Sequence, residues 1–222
     1  MIKEITVAGI KLNSYTALEN LTRIGKNLDD HIFTTVEEIY MRTLLLAKED
    51  EVVKQAIEAL DATVIAENGV WDAVGENSGL RRNEIESRAF FFQLMHILER
   101  NKYSVFILGE EKQEVVQTCE YIREEFPRLQ MVGASALEEC IGANEGIIND
   151  INLLAPDVII SVLPSPMQEH FLAEHKRMLS TRLWYGVGSG KIVEQKHRLK
   201  YLLLKKLRKY KLMNYMKENG EQ

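Results

Sequence analysis

Residues 103–133, YSVFILGEEKQEVVQTCEYIREEFPRLQMVG, decide how the chain is read. The apolar run from Tyr103 to Leu108 is what a strand covered on both faces needs, and Gly109 closes it with a turn. Val115, Val116, Cys119, Ile122 and Phe126 then recur at helical spacing. Pro127 ends that helix before a second apolar run, Leu129 to Val132. Strand, helix and strand in this order predict two parallel strands joined by a crossover helix.

The alternation extends in both directions. Further strands are expected at Ile5 to Ile10, Ile32 to Val36, Ala62 to Ala66, Asp157 to Leu163 and Leu183 to Val187. Helices are expected at Tyr15 to Leu28, Glu38 to Leu60, Ile85 to Arg100, Asn144 to Leu154 and Met167 to Leu179, with a loop from about Trp71 to Asn83. The fold class is therefore α/β, a Rossmann-like parallel sheet with helices on both faces, whose ligand belongs at the carboxyl ends of the strands. No Ser- or Pro-rich linker divides the chain, so residues 1–190 are expected to form one two-lobed body, irregular over 1–100 and Rossmann-like over 101–190.

Composition excludes several classes. The chain has 222 residues, 45% hydrophobic and 27% charged, which fits a globular core and argues against disorder. Cys119 and Cys140 sit in helical patterns, and MIKEITVAGI runs straight into strand alternation rather than a signal peptide, so reduced thiols and a cytoplasmic location are expected. No apolar run approaches the roughly 20 residues needed to span a bilayer. Charge is uneven: residues 191–222 carry ten Lys or Arg against three acids, a local +7, which leaves −12 on the first 190. This appendage reads as a basic amphipathic helix, with Ile192, Leu199, Leu203, Leu207, Tyr210 and Met213 near one face. Its cations and tyrosines suit an anionic membrane surface. An acidic body without an aromatic RNA-binding pattern argues against a nucleic-acid partner.

Four stretches carry candidate chemistry. LPSPMQEHF (163–171) leaves a strand and opens a helix with Gln168 and Glu169, the latter placed to complement the helix dipole. GVGSGK (186–191) joins a strand to a helix with backbone amides that suit either a phosphate or a tight turn. FTTVEE (33–38) and AENGVW (66–71) end neighbouring strands with Thr34, Thr35, Glu37 and Glu38, and with Glu67, Asn68 and Gly69. The five histidines show no metal-ligand spacing, no Gly-x-Ser-x-Gly elbow occurs, and neither a metal nor a cofactor is implied.

The order of these features resembles the bacterial WecB/TagA/CpsF glycosyltransferase family (glycosyltransferase family 26). VFILG, PRLQMVG, INLLAPD, PMQEHF and GVGSG are similar to successive family motifs over residues 103–188. The resemblance implies transfer of an N-acetylhexosamine, N-acetylmannosamine-like, from a UDP-sugar to a membrane lipid-linked acceptor in cell-surface polysaccharide or teichoic acid synthesis, with inversion and without a metal. It implies substrate-binding roles for Gln168, Gly109, Gly133, Gly186, Gly188 and Arg88. Thr35 matches a catalytic threonine, and the family's Asp-Gly base falls on Asn68-Gly69. The basic appendage, with Arg198, Lys205, Arg208 and Lys209, resembles a membrane-contacting segment that meets the lipid acceptor. A homo-oligomer or a partner glycosyltransferase would be its protein partners.

The chain also departs from the pattern. An amide cannot take a proton from a sugar hydroxyl as a carboxylate does, so Asn68 leaves Glu67 as the expected base. SRAF (87–90) places Ala89 where the family has an acid, and Met167 stands where it has lysine. These departures set a second expectation beside the first, an inactive homologue that binds a nucleotide sugar or a partner enzyme.

Overall fold

The computed structural model describes residues 4–73, 78–139 and 144–192. Six strands form one parallel sheet: β3 (Thr34–Ile39), β4 (Ala62–Ile65), β5 (Ser104–Gly109), β6 (Gln130–Ala136), β7 (Val158–Ser161) and β8 (Leu183–Gly186). Their order is β4-β3-β8-β7-β5-β6, and every pair is parallel. The last strand thus lies between the first-half strand β3 and the second-half strand β7. Both faces are covered, which is why the inner strands β3, β5, β7 and β8 are near-continuously buried.

On one face Val36, Ile107, Ile160 and Tyr185 pack against α1 (Ala17–Asp29), α6 (Ala89–Asn101) and α7 (Lys112–Glu125). On the other, Ile39, Phe106, Ile159 and Trp184 meet α3 (Glu51–Glu58), α8 (Glu145–Leu154) and α9 (Met167–His175). Alternate residues of one strand supply opposite cores, as the two-residue strand period requires.

The first half differs from expectation in three places, each with a local cause. The strand predicted over Ile5 to Ile10 is a hairpin, β1 (Glu4–Val7) and β2 (Ile10–Asn13), because Ala8 and Gly9 both take positive φ in a two-residue turn that reverses the chain. The helix predicted from Glu38 begins only at α2 (Met41–Leu46), since β3 continues through two buried glutamates. After α2 a second helix starts afresh, its Asp50 side chain accepting from the N–H groups of Val52 and Val53 at 2.9 and 3.3 Å. The predicted Trp71 to Asn83 loop contains part of α5 (Gly79–Glu86), and Arg88, at φ 51°, separates α5 from α6.

Candidate functional site

A cleft of about 810 Å³ opens at the carboxyl ends of β3, β4 and β8, within the usual range for a small-ligand site. Tyr40, Glu67, Asn68, Arg88, Gln168 and Glu169 are among the residues that line it. Beneath it lies the carboxyl half of β3, whose Glu37 and Glu38 point to opposite faces of the sheet.

Glu38 is held on every side. Arg88 Nη2 donates to its two oxygens at 2.8 and 2.9 Å, Tyr185 Oη donates at 2.5 Å, and Tyr40 Oη is a further donor. Burial opposes the charge on Arg88, but the Glu38 carboxylate beside it and the two tyrosines raise its pKa above the ordinary arginine value. Arg88 also donates to the Lys191 carbonyl at 2.8 Å and lies 4.6 Å from the Phe91 ring. Its left-handed backbone aims the guanidinium at Glu38, an αL conformation that costs a non-glycine residue roughly 1–3 kcal/mol.

Glu169 lines the opposite wall and Glu37, on β3, acts on it electrostatically; each is 1% exposed. Burial first, and the neighbouring Glu169 second, push the Glu37 carboxyl up to about 8, against hydrogen bonds from Trp184 and Gln168. Trp184 Nε1 donates to Glu37 Oε1 at 3.2 Å. Burial likewise raises the Glu169 carboxyl, while Ser165 Oγ, donating at 2.8 Å to Oε1, works the other way. Oε2 of Glu169 and Oε1 of Gln168 meet no donor from another of the described residues. Gly186 makes this wall possible: a Cβ there would stand 2.5 Å from Gln168 Nε2 and 2.7 Å from Glu37 Cγ.

The structure brings together Gln168, Gly186, Gly188, Arg88, Glu67 and Asn68 of the predicted residues. Several serve differently from expectation. Glu67 Oε2 accepts from the Met41 N–H at 3.0 Å and so closes the start of α2. Asn68 Nδ2 donates to Glu86 Oε1 at 3.1 Å, which leaves its Oδ1 without a partner among the described residues. In the GVGSGK loop, Gly188 reaches the cleft at φ +86°, but Ser189 Oγ donates to Glu114 at 2.8 Å and the Gly190 N–H is turned to the same carboxylate.

Three predicted residues lie away from the cleft. Thr35 is at the beginning of β3, not its end, because the strand runs on to Ile39; its N–H and Oγ1 both donate to Asp61 at 2.8 Å, at the far edge of the sheet. Gly109 admits close approach of Val115 and Val162, and Gly133 lies within β6 against Phe106 and Leu154, so both are packing glycines. Arg198, Lys205, Arg208, Lys209 and Cys140 are outside the described residues. Residues that sequence reasoning missed are Tyr40, Arg42, Tyr185 and Lys191, together with the place of Glu169 in the cleft wall and its electrostatic link to Glu37. Adjacent glutamates inside a fully buried strand were the available signal.

A doubly wound parallel sheet with a polar cleft at its carboxyl edge defines a Rossmann-like protein built to hold a small hydrogen-bonding ligand. Residues 5–191 match the glycosyl transferase WecG/TagA/CpsF family, and the chain belongs to that family. It is 22% identical over 193 residues to an N-acetylglucosaminyldiphosphoundecaprenol N-acetyl-beta-D-mannosaminyltransferase of Bacillus spizizenii, covering 85% of this chain and 71% of that protein. A Bacillus subtilis protein of the same name is 24% identical over 124 residues, 51% of this chain and 45% of its own length.

Proposed function

We propose that this protein transfers an N-acetylmannosaminyl group from a UDP-sugar to a lipid-linked acceptor ending in N-acetylglucosamine, in synthesis of a cell-surface polysaccharide or teichoic-acid-like polymer. The relatives' names supply the sugar and the acceptor; the family resemblance supplies the donor and the inverting course. The observation that carries the reading is Gln168, 3% exposed, lining the cleft with an unpartnered oxygen that a sugar hydroxyl or amide N–H would satisfy. Arg42 and Lys191 line the same cleft and offer cations to the diphosphate. Charge that develops on the leaving UDP would meet them in place, with no rearrangement at the moment of reaction. Inversion follows from direct displacement: the acceptor oxygen forms its bond to the anomeric carbon as the bond to the diphosphate breaks on the other side.

Asn68 favours a second reading, since an amide stands where the family resemblance puts a base. That reading keeps donor binding and removes turnover. Incubation with UDP-N-acetylmannosamine and an N-acetylglucosaminyl-diphospholipid analogue separates the two. Glycosylated lipid and free UDP are the expected products; tight UDP binding without product supports the binding-only alternative.

A further inference from the structure

We propose that Glu169 is the proton acceptor of the transfer, taking the hydrogen of the acceptor's attacking hydroxyl on its Oε2. The proposal rests on the transferase reading above.

The described carboxylates that line the cleft are Glu38, Glu67, Glu86 and Glu169. Glu38 is paired with Arg88 and takes hydrogen bonds from two tyrosines, so both its oxygens are occupied and no room is left for another donor. Glu67 is committed to the first turn of α2. Glu86 is exposed and engaged by Asn68 Nδ2. Glu169 is buried, lines the cleft beside Gln168, and alone among them keeps a buried oxygen that no other described residue satisfies. A buried carboxylate with an unmet acceptor in a cleft needs a donor from its ligand, and an acceptor hydroxyl is such a donor.

The surroundings suit the task. Glu37, on β3, feels the charge of Glu169; two buried, interacting carboxyls favour a state in which one is ionised and the other protonated. Glu37, pushed up to about 8 by burial and by Glu169, holds the proton, while the Ser165 hydrogen bond and His170 favour the ionised form of Glu169 against its burial. The other charged or titratable groups that act on it are His170 on its own helix, which favours its ionised form, and Asp50 at the start of α3, which opposes it. Ser165 Oγ fixes Oε1 and so fixes where Oε2 points.

In the step, the acceptor O–H bond breaks and its proton goes to Glu169. The oxygen's electron pair forms the new glycosidic bond while the anomeric C–O bond to the diphosphate breaks and its pair departs with UDP. Glu169 returns the proton to water as the products leave.

The test measures kcat against pH for the wild type, Glu169→Gln and Ser165→Ala, together with UDP affinity by calorimetry. Glu169→Gln should lower kcat about 10²- to 10⁴-fold and bind UDP as the wild type does. Its residual rate should no longer rise with pH through the acid limb. Ser165→Ala removes a donor to the ionised carboxylate and should move that limb to higher pH, a check that stands even where Glu169→Gln does not fold. A Glu169→Gln protein that keeps wild-type kcat, or an acid limb unmoved in Ser165→Ala, overturns the proposal alone. Absence of turnover in the wild type overturns the transferase reading, and the proposal with it.

Discussion

Two neighbouring side chains on β3 show how one strand can hold opposite electrostatic solutions. Glu38 is paired with Arg88, their side chains 3% and 10% exposed. Arg88→Met should therefore leave a buried carboxylate without its cation and cost about 3–5 kcal/mol, read as a lowered urea midpoint. Glu37 has no cation, so the folded protein keeps a proton that the unfolded chain releases near the ordinary glutamate value of 4.5. Stability from that proton is complete below pH 4.5, falls as pH rises, and is gone above about 8. Glu37→Gln does not titrate, so the variant should gain on the wild type across that window, by a few kcal/mol at its alkaline end. Urea midpoints at pH 5 and pH 9 measure the difference; an equal offset at both would contradict the burial of a protonated Glu37. The sequence places both glutamates at a strand end but says nothing of which is paired, since Arg88 is 50 residues away and reaches Glu38 only through a left-handed break between two helices.

Among the elements, legibility followed burial pattern. Strands β5, β7 and β8 are continuous apolar runs that only a doubly covered sheet accommodates, and their existence and parallel order were readable from residues. β3 was placed about two residues early at its start and three at its end, because TTVEEI carries polar side chains that burial overrides through tertiary partners. That slip put Thr35 at the wrong edge of the sheet, left Glu37 just beyond the expected strand and set Glu38 at the start of a supposed helix. β8 and α9 meet at Gly186, where the sequence showed a glycine but not its reason. Gly186→Ala must displace the Gln168 amide or the Glu37 side chain, so it should weaken UDP binding about tenfold or more with little loss of helix content. Calorimetric titration with UDP checks this, and unchanged affinity would separate Gln168 from the ligand.

At the scale of the molecule, the chain's two halves share one sheet, and the cleft sits where strands from both halves end together. The sequence pointed to this edge by topology alone, and could bring Gln168, Glu67 and Asn68 to it. It could not weigh Glu169 against Glu67, because which carboxylate caps a helix and which faces the ligand is decided by packing. Among the described residues no helix is long and apolar enough to cross a membrane. For a lipid-linked acceptor, the proposed element of membrane attachment is the basic appendage 191–222, of which residues 193–222 lie outside the described residues. Flotation with anionic liposomes should bring the protein up at low salt and lose it at high salt. Binding to neutral and anionic vesicles alike would remove the electrostatic part of that proposal.

The proposed transfer takes place in the cleft around Gln168, from a UDP-sugar to a lipid-linked acceptor. The most direct measurement is a single-turnover transfer assay with radiolabelled UDP-N-acetylmannosamine and an N-acetylglucosaminyl-diphospholipid, comparing the wild type with Gln168→Ala. Labelled lipid from the wild type, with formation slowed about tenfold or more in the variant, is the predicted result. Label that stays wholly with the nucleotide, or an equal rate in both proteins, would contradict it.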